Sequence, residues 1–216
     1  MSKQPKYTNS VISDYYSLNR IRWEDFYTSE KFVISRLEFN GKSILDIGGA
    51  VGGLGIVLKK KFNIAKYLCI DLDYLSCEVG KQLNPSAEFM NGDFLNLSQN
   101  QLSEKKFDYV FALSSLDWNT NFFDLLDRAW FHVTQNKQVD GGGGILIVSC
   151  RTTILNSCTD PSKSYQYINF KGEKKGSETP YSVLNIFELF NKLKNYQPSF
   201  IKCKGYFGAP SPTAVT

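Results

Sequence analysis

The chain has 216 residues, of which 42% are hydrophobic and 21% charged, and its formal net charge is +4 at pH 7. This length predicts one main domain with a sizeable apolar core, and the composition excludes a disordered or fibrous protein. The basic excess collects in no stripe, which argues against a nucleic-acid partner.

Few side chains suit a metal or a disulfide framework. His132 is the single histidine, and the five cysteines show no short paired spacing. We therefore expect no metal site and no histidine-based catalytic centre. The N-terminus MSKQPKYTNS lacks the apolar core of a signal peptide, and no apolar run is long enough for a membrane span. We expect a cytoplasmic protein without a membrane partner.

Short apolar runs alternate with helical patterns from residue 43 to about residue 205. That order predicts βαβ units around a parallel sheet. We therefore predict an α/β fold, a doubly wound, mostly parallel sheet with helices on both faces, as in Rossmann-like domains. The predicted strands are residues 43–46, 67–70, 87–90, 109–113, 145–149 and 200–203, and the predicted helices are residues 51–62, 74–82, 121–135 and 182–195.

Two segments interrupt this alternation. Residues 11–37 predict one or two aromatic-rich helices, so residues 1–40 are expected to form an N-terminal helical extension before a domain of residues 41–216. Residues 151–180 form a long polar and aromatic insert after the fifth predicted strand. Long connections of this kind are often lids or binding loops, so we expect the insert to cover a substrate.

The clearest functional motif is SILDIGGAVGGLG at residues 43–55, in which a strand leads through a Gly-rich turn into a helix. Gly48, Gly49 and Gly52 allow close approach of the backbone to a ligand, and the start of the helix presents unpaired N–H groups. Such a turn can also serve a nicotinamide or flavin dinucleotide. Asp46 argues against this, because its carboxylate would face the anionic pyrophosphate, whereas it suits an ammonium group.

Two further carboxylates follow the next two predicted strands. Asp71 ends LCID, near the offset at which an acidic side chain binds the hydroxyls of an adenosine ribose. Asp93 in NGDF can accept a hydrogen bond from the adenine amine, and Phe94 can lie against the ring. Three carboxylates that end three successive strands favour a ligand site over solvated surface charge.

From about Glu24 to Val148 the sequence resembles the class I S-adenosylmethionine-dependent methyltransferases. Residues 46–53 (DIGGAVGG) resemble the first motif of that superfamily, with Ala50 in place of the middle glycine of the dinucleotide pattern. Asp71 resembles the ribose-binding acid, and residues 91–94 (NGDF) resemble the adenine motif. Residues 107–118 (FDYVFALSSLDW) resemble the fourth strand and the loop after it.

The resemblance implies S-adenosylmethionine as the cofactor and methyl transfer as the activity. The phrase FYTSE and the first motif are similar to bacterial small-molecule methyltransferases, often found in surface-polysaccharide or natural-product clusters. We therefore expect a small-molecule acceptor, methylated at oxygen. The implied cofactor-binding residues are Asp46, Gly48, Gly49, Ala50, Gly52, Asp71, Leu72, Asp93, Phe94, Ser114 and Trp118.

Asp117 is the candidate catalytic residue. A hydroxyl acceptor needs a base within hydrogen-bond reach, and Asp117 lies in the loop that faces the methyl group in this fold. The alternative role for Asp117 is a helix N-cap, a role for which Asn119 is the stronger candidate. Trp118 can contact the sulfonium by a cation–π interaction or serve as a core residue.

Three arginines are weaker candidates. Arg20 and Arg22 can bind the carboxylate of the methionyl group, and Arg151 can bind an anionic acceptor, although each also suits an ordinary surface charge. The run after the fourth strand contains no Asn/Asp-Pro-Pro-aromatic tetrad, which disfavours a nucleic-acid base as acceptor.

One departure from the superfamily concerns the sheet edge. The superfamily usually adds an antiparallel seventh strand, but KGYFGAPSPTAVT, with its two prolines, makes a poor strand. Either the chain is truncated before that strand, or another element or a second subunit, as in a homodimer, finishes the edge.

Two other functions stay open. An NAD-dependent reductase or epimerase would need a Tyr and a Lys four residues apart on a helix; Tyr167 and Lys171 have this spacing but lie in the insert without helical periodicity. A non-catalytic protein that retains the fold is the second alternative.

Overall fold

The structure is a computed structural model that describes residues 10–97, 102, 105–135, 143–206 and 211–215. Its centre is a five-stranded, fully parallel sheet with the strand order β3-β2-β1-β4-β5. The strands are β1 (Ser43–Ile47), β2 (Lys66–Asp71), β3 (Glu88–Asn91), β4 (Tyr109–Leu113) and β5 (Ile145–Ser149). These confirm the first five predicted strands, whose apolar runs suit buried parallel strands.

Helices cover both faces of this sheet, as predicted. They are α1 (Val11–Leu18), α2 (Thr28–Ile34), α3 (Gly53–Lys59), α4 (Tyr74–Leu83), α5 (Phe122–Phe131) and α6 (Ile186–Asn195), with 3-10 turns at Trp23–Asp25 and Leu116–Trp118.

The alternating side chains of β1 divide the core between the two faces. Leu45 packs in a cluster with Leu126 of α5 and Leu189 of α6, whereas Ile44 packs in a second cluster with residues of α2 and α3. Burying each such side chain contributes about 1.5–3 kcal/mol, so the two clusters fix the helices on the sheet.

Two predicted helices begin two or more residues later than expected. The turn before α3 includes Ala50 and Gly52 at φ 49° and 70°, so the helix starts at Gly53. The α6 helix starts at Ile186, because the Asn185 side chain accepts hydrogen bonds from the N–H groups of Phe187 and Glu188. The two residues before it, β9 (Leu184–Asn185), pair with β6 (Thr152–Thr153).

The predicted sixth strand at residues 200–203 is wrong. Residues 198–206 form no strand and make no backbone hydrogen bonds with other described residues. Phe200 is 63% exposed, so the apolar pattern buries no face here. Consequently β5 is the outermost strand on this side within the described part of the chain.

A small second sheet lies in the insert. It has the antiparallel order β10-β7-β8, from β7 (Tyr165–Tyr167), β8 (Glu178–Pro180) and β10 (Ala214–Val215). The insert therefore has a fold of its own and is tied to residues near position 214. Among the described residues, no helix combines the length and apolar character that crossing a membrane requires.

Candidate functional site

A cavity of about 200 Å³ lies where the carboxyl ends of the central strands converge. The strand order reverses between β1 and β4, and ligands of open α/β sheets bind at such a switch point. Most of the predicted cofactor residues line this cavity: Asp46, Gly48, Gly49, Ala50, Asp71, Leu72, Asp93, Phe94, Ser114 and Trp118. The structure thus brings together residues from four strand ends, although their role in binding stays a prediction.

The turn after β1 is held very close to the loop after β4. Gly48 has φ 68°, and a Cβ added there would lie 2.4 Å from the Cβ of Ser115. The Ser115 hydroxyl donates a 2.7 Å hydrogen bond to the carbonyl of Ile47. Only glycine suits Gly48, because both the backbone angle and the contact exclude a side chain.

Strained backbone collects around the same cavity. Arg20, Ala50 and Ser114 are non-glycine residues at φ 62°, 49° and 51°, and all three line it. Each left-handed residue of this kind costs about 1–2 kcal/mol, and such strain is concentrated at ligand sites. This strain is an independent sign of a functional site.

Asp46 lines the cavity and is only 3% exposed. It accepts a hydrogen bond from the Tyr67 hydroxyl, and burial raises its pKa to about 6. A buried carboxylate with this pKa would favour a positively charged ligand group.

Asp71 joins the Gly-rich turn to the end of β2. One of its carboxylate oxygens accepts the N–H of Ala50 at 2.7 Å, and the other accepts the N–H of Asp73 at 2.8 Å. Burial raises its pKa to about 6. An ionised carboxylate has about four lone-pair sites, so after these two bonds it can still accept two ribose hydroxyls. Asp71 can therefore still accept both hydroxyls of a cofactor ribose.

The two candidate residues after β3, Asp93 and Phe94, already have partners within the protein. The carboxylate of Asp93 accepts hydrogen bonds from the backbone N–H of Leu95 and the side chain of Asn96. Phe94 is 5% exposed, and the guanidinium of Arg128 lies 5.2 Å from its ring centroid. Both residues line the cavity, but the Asp93 carboxylate and the Phe94 ring also make contacts that stabilise the local fold.

The N-terminal segment covers the cavity and is attached to the sheet through Glu30. This buried carboxylate accepts two hydrogen bonds from Arg20, at 3.0 and 3.2 Å, and one from the Tyr27 N–H at 3.0 Å. It also accepts the hydroxyl of Ser149, at the end of β5, at 2.9 Å. The FYTSE phrase thus supplies a structural residue that sequence reasoning missed.

Asp117 lies apart from the cofactor cavity and lines the groove beside it. Its Oδ2 atom accepts hydrogen bonds from the backbone N–H of Arg151 at 3.1 Å and from Nη1 of Arg151 at 2.8 Å. Its Oδ1 atom is buried and has no hydrogen-bond partner among the described residues. Burial raises the pKa of Asp117, and the charge of Arg151 opposes that shift.

Some candidates lie elsewhere. Gly52 is the N-cap residue of α3, faces the ring of Phe89 and does not line the cavity. Arg22 is largely exposed, pairs with Asp25 and lines neither the cavity nor the groove. Tyr167 lies in β7 and Lys171 is exposed in a turn, so the helical Tyr-Lys pair of a reductase is absent here.

No group of three or more His, Cys, Asp or Glu side chains is placed to hold a metal ion within the described ranges. The expectation of no metal site stays a prediction.

Cofactor affinity should depend on pH because Asp46 and Asp71 both have a pKa of about 6. Protonation removes the charge that Asp46 offers to an ammonium group and one acceptor of Asp71. We expect affinity for S-adenosylhomocysteine to be constant above pH 7 and to fall below pH 6, by up to about tenfold per pH unit for each carboxylate. Calorimetric titrations between pH 5 and pH 8 measure this, and an affinity that stays constant over the range would contradict it.

Asp71→Ala should weaken binding of S-adenosylhomocysteine by about 1–3 kcal/mol, because two ligand hydroxyls lose their acceptor. Asp71→Asn retains one acceptor oxygen and should lose less. Asp124→Ala, at an exposed position outside the cavity, is the matched control. Calorimetry gives the dissociation constants, and melting curves show that each variant is folded. Equal dissociation constants for Asp71→Ala and Asp124→Ala would show that Asp71 does not bind the ligand.

Comparison with known proteins agrees with the sequence motifs. A family model described as a methyltransferase domain matches residues 45–136. No curated protein gives a significant sequence match.

Three solved structures show similar, though distant, chains. DesVI from Streptomyces venezuelae is 17% identical, with 66% of this chain and 57% of that chain covered and a TM-score of 0.45. The plantazolicin methyltransferase BpumL, in complex with SAH, is 19% identical, with 57% and 42% covered and a TM-score of 0.39. An O-methyltransferase family protein from Burkholderia thailandensis is 16% identical, with 52% and 33% covered and a TM-score of 0.42.

This chain thus spans little more than half, or less, of the length of these three proteins. At these TM-scores the likenesses carry no conclusion about function, and the family match is the informative comparison. Residues 45–136 are therefore a methyltransferase domain, which confirms the resemblance to the class I S-adenosylmethionine-dependent methyltransferases.

Proposed function

We propose that the chain transfers a methyl group from S-adenosylmethionine to an oxygen atom of a small-molecule acceptor, such as a sugar or a precursor of a surface polysaccharide or natural product. The observation that carries this proposal is the junction of two spaces. A groove of about 1680 Å³ adjoins the cofactor cavity. Both are lined by Tyr16, Arg20, Tyr27, Leu113, Ser114, Trp118 and Arg151. An acceptor in the groove can therefore reach the cofactor across this boundary.

On the cofactor side, the residues at the strand ends bind and orient the cofactor. Asp71 accepts the ribose hydroxyls, Asp46 faces the ammonium group, and Asp93 accepts from the adenine amine. The close turn at Gly48, Gly49 and Ala50 lets the backbone approach the amino-acid part of the cofactor, and Leu72 and Phe94 contact the adenosine. When bound, S-adenosylmethionine supplies an electrophilic methyl group on a sulfonium, so the protein mainly has to align the reactants.

On the acceptor side, Asp117 is the proposed base. Its Oδ1 atom is buried without a partner in the described part of the chain, and an unpaired buried acceptor costs free energy until a donor arrives. An acceptor hydroxyl is such a donor, and Oδ1 would take its proton during transfer. Arg151 holds Oδ2 and favours the ionised carboxylate that this role requires.

Two segments that contact each other would exclude water from the junction of the cavity and the groove. The ring of Tyr15 in α1 stacks on Phe170 of the insert, with centroids 3.8 Å apart and planes 9° from parallel. Tyr16 packs edge-on against the same Phe170 ring. We propose that residues 10–40 of the N-terminal extension and the insert, residues 151–180, form a joint lid over the central sheet.

The experiment is a transfer assay with methyl-labelled S-adenosylmethionine. The purified protein is incubated with a crude extract of the organism that carries the gene, the same extract alone serves as the control, and the products are separated by size. We expect the label in the small-molecule fraction. Label in protein or nucleic acid would contradict the acceptor class, and transfer to no fraction would favour the non-catalytic alternative.

A further inference from the structure

Arg151 lies at the boundary between the cofactor cavity and the groove, and its guanidinium is held from two directions. Nη1 donates to the Oδ2 atom of Asp117, and Cζ lies 4.0 Å from the ring centroid of Tyr181. The side chain of Arg151 remains 27% exposed, whereas that of Asp117 is 2% exposed. A buried carboxylate and a stacked ring thus fix the guanidinium plane while part of the group faces open space.

The opposite edge of this guanidinium has no assigned partner. Nε and Nη2 of Arg151 make no hydrogen bond to any of the described residues. These two N–H groups form the parallel fork that binds two oxygens of a carboxylate or phosphate at once. Arginine bound on one edge and one face is pre-organised, so little side-chain entropy is lost when the fork engages an anion.

The charged side chains that line the groove also favour an anionic ligand. Its acidic side chains, Glu30 and Asp117, are both buried and already paired with arginines. Its basic side chains outnumber them in the described part of the chain: they are Arg20, Arg36, Arg151, Lys202 and Lys204. Of these, Arg36, Lys202 and Lys204 have no ion-pair partner among the described residues, so the groove favours negative charge.

Arg20 occupies a different place from Arg151. Its Nη2 atom is bound to both oxygens of Glu30, and its carbonyl lies against Gly53 at the start of α3. That position is beside the Gly-rich turn, where the amino-acid part of the cofactor is expected. Arg151 comes instead from the start of the insert, on the acceptor side.

We propose that the acceptor is an anion whose carboxylate or phosphate binds the Nε and Nη2 edge of Arg151, which Asp117 and Tyr181 hold in place. The proposal rests on the proposed function, since it names the chemical class of the molecule that the groove accepts. It makes Arg151 a substrate-binding residue and gives Asp117 a positioning role in addition to its role as base.

The test uses the full chain saturated with S-adenosylhomocysteine and two probes, inorganic phosphate and acetate, each compared with chloride at equal ionic strength. We expect at least one probe at about ten times its dissociation constant to raise the melting temperature by about 3 °C. The two probes distinguish a phosphate from a carboxylate group. Arg151→Gln should lose the shift, Arg151→Lys should keep only part of it, and the exposed Arg22→Gln should keep all of it.

Three outcomes would overturn the proposal. The first is that neither probe exceeds chloride, and the second is that Arg151→Gln keeps the full shift, which would indicate an adventitious ion only. The third is that Arg151→Gln loses affinity for S-adenosylhomocysteine more than about threefold, which would assign Arg151 to the cofactor. If the wild type fails to bind S-adenosylhomocysteine, the proposed function itself fails, and this result is distinct from the other three. Arg151→Lys retains the charge beside Asp117 and keeps the test valid if Arg151→Gln does not fold.

Discussion

Asp117→Asn is expected to lower turnover about a hundredfold or more, the usual scale for losing a general base, while affinity for S-adenosylhomocysteine changes less than about twofold. The asparagine has nearly the same shape and still offers an oxygen to Arg151, but it cannot take a proton. Asp117 lines the groove and not the cofactor cavity, so cofactor binding should be spared. Single-turnover rates and calorimetry on the same preparations give the two quantities.

Arg151→Gln separates the two roles of Asp117. If Asp117 acts as the base, Arg151→Gln should chiefly raise KM for the acceptor, and the acid limb of the pH profile should disappear only in Asp117→Asn. If Asp117 served only to position Arg151, Asp117→Asn would keep most of its turnover because its amide oxygen still accepts from Arg151, Arg151→Gln would lose more, and both pH profiles would be unchanged. Normal turnover in Asp117→Asn would return the residue to a purely structural role.

Glu30→Ala is expected to lower the free energy of unfolding by about 3 kcal/mol or more, because it removes the partner of a largely buried arginine. The Tyr27 N–H and the Ser149 hydroxyl lose their acceptor as well. For a chain of this size, that loss corresponds to a decrease in melting temperature of about 6–12 °C. Affinity for S-adenosylhomocysteine should also fall, because Arg20 and Tyr27 line the cavity.

Glu24→Ala is the matched control for this prediction. Glu24 lies in the same segment but is exposed, and its side chain has no hydrogen-bond partner among the described residues. We expect the melting temperature of Glu24→Ala to stay within about 2 °C of that of the wild type. Equal thermal unfolding curves for Glu30→Ala and Glu24→Ala would show that Glu30 does not attach the N-terminal segment to the sheet.

The parts of the fold that sequence predicted are those governed by local patterns. The buried runs of β1 to β5 predicted their strands, and because the strands are parallel, the residues after them meet at one edge. Asp46, Asp71 and Asp93 therefore line one cavity, as their positions along the chain indicated.

The parts that sequence missed depend on partners that are distant along the chain. Ser149, which bonds Glu30, is 119 residues away from it, and Arg151 is 34 residues away from Asp117. No periodicity marks such pairs. The expected strand at residues 200–203 was wrong for a related reason, since a strand needs a paired neighbour, and an apolar run alone does not provide one.

Calorimetric titration of the full chain with S-adenosylhomocysteine, with NAD titrated in parallel, tests most directly whether this cavity binds S-adenosylmethionine. We expect one site of micromolar or tighter affinity for S-adenosylhomocysteine and no measurable heat with NAD. Binding of NAD without binding of S-adenosylhomocysteine would contradict this assignment and make the cavity a dinucleotide site.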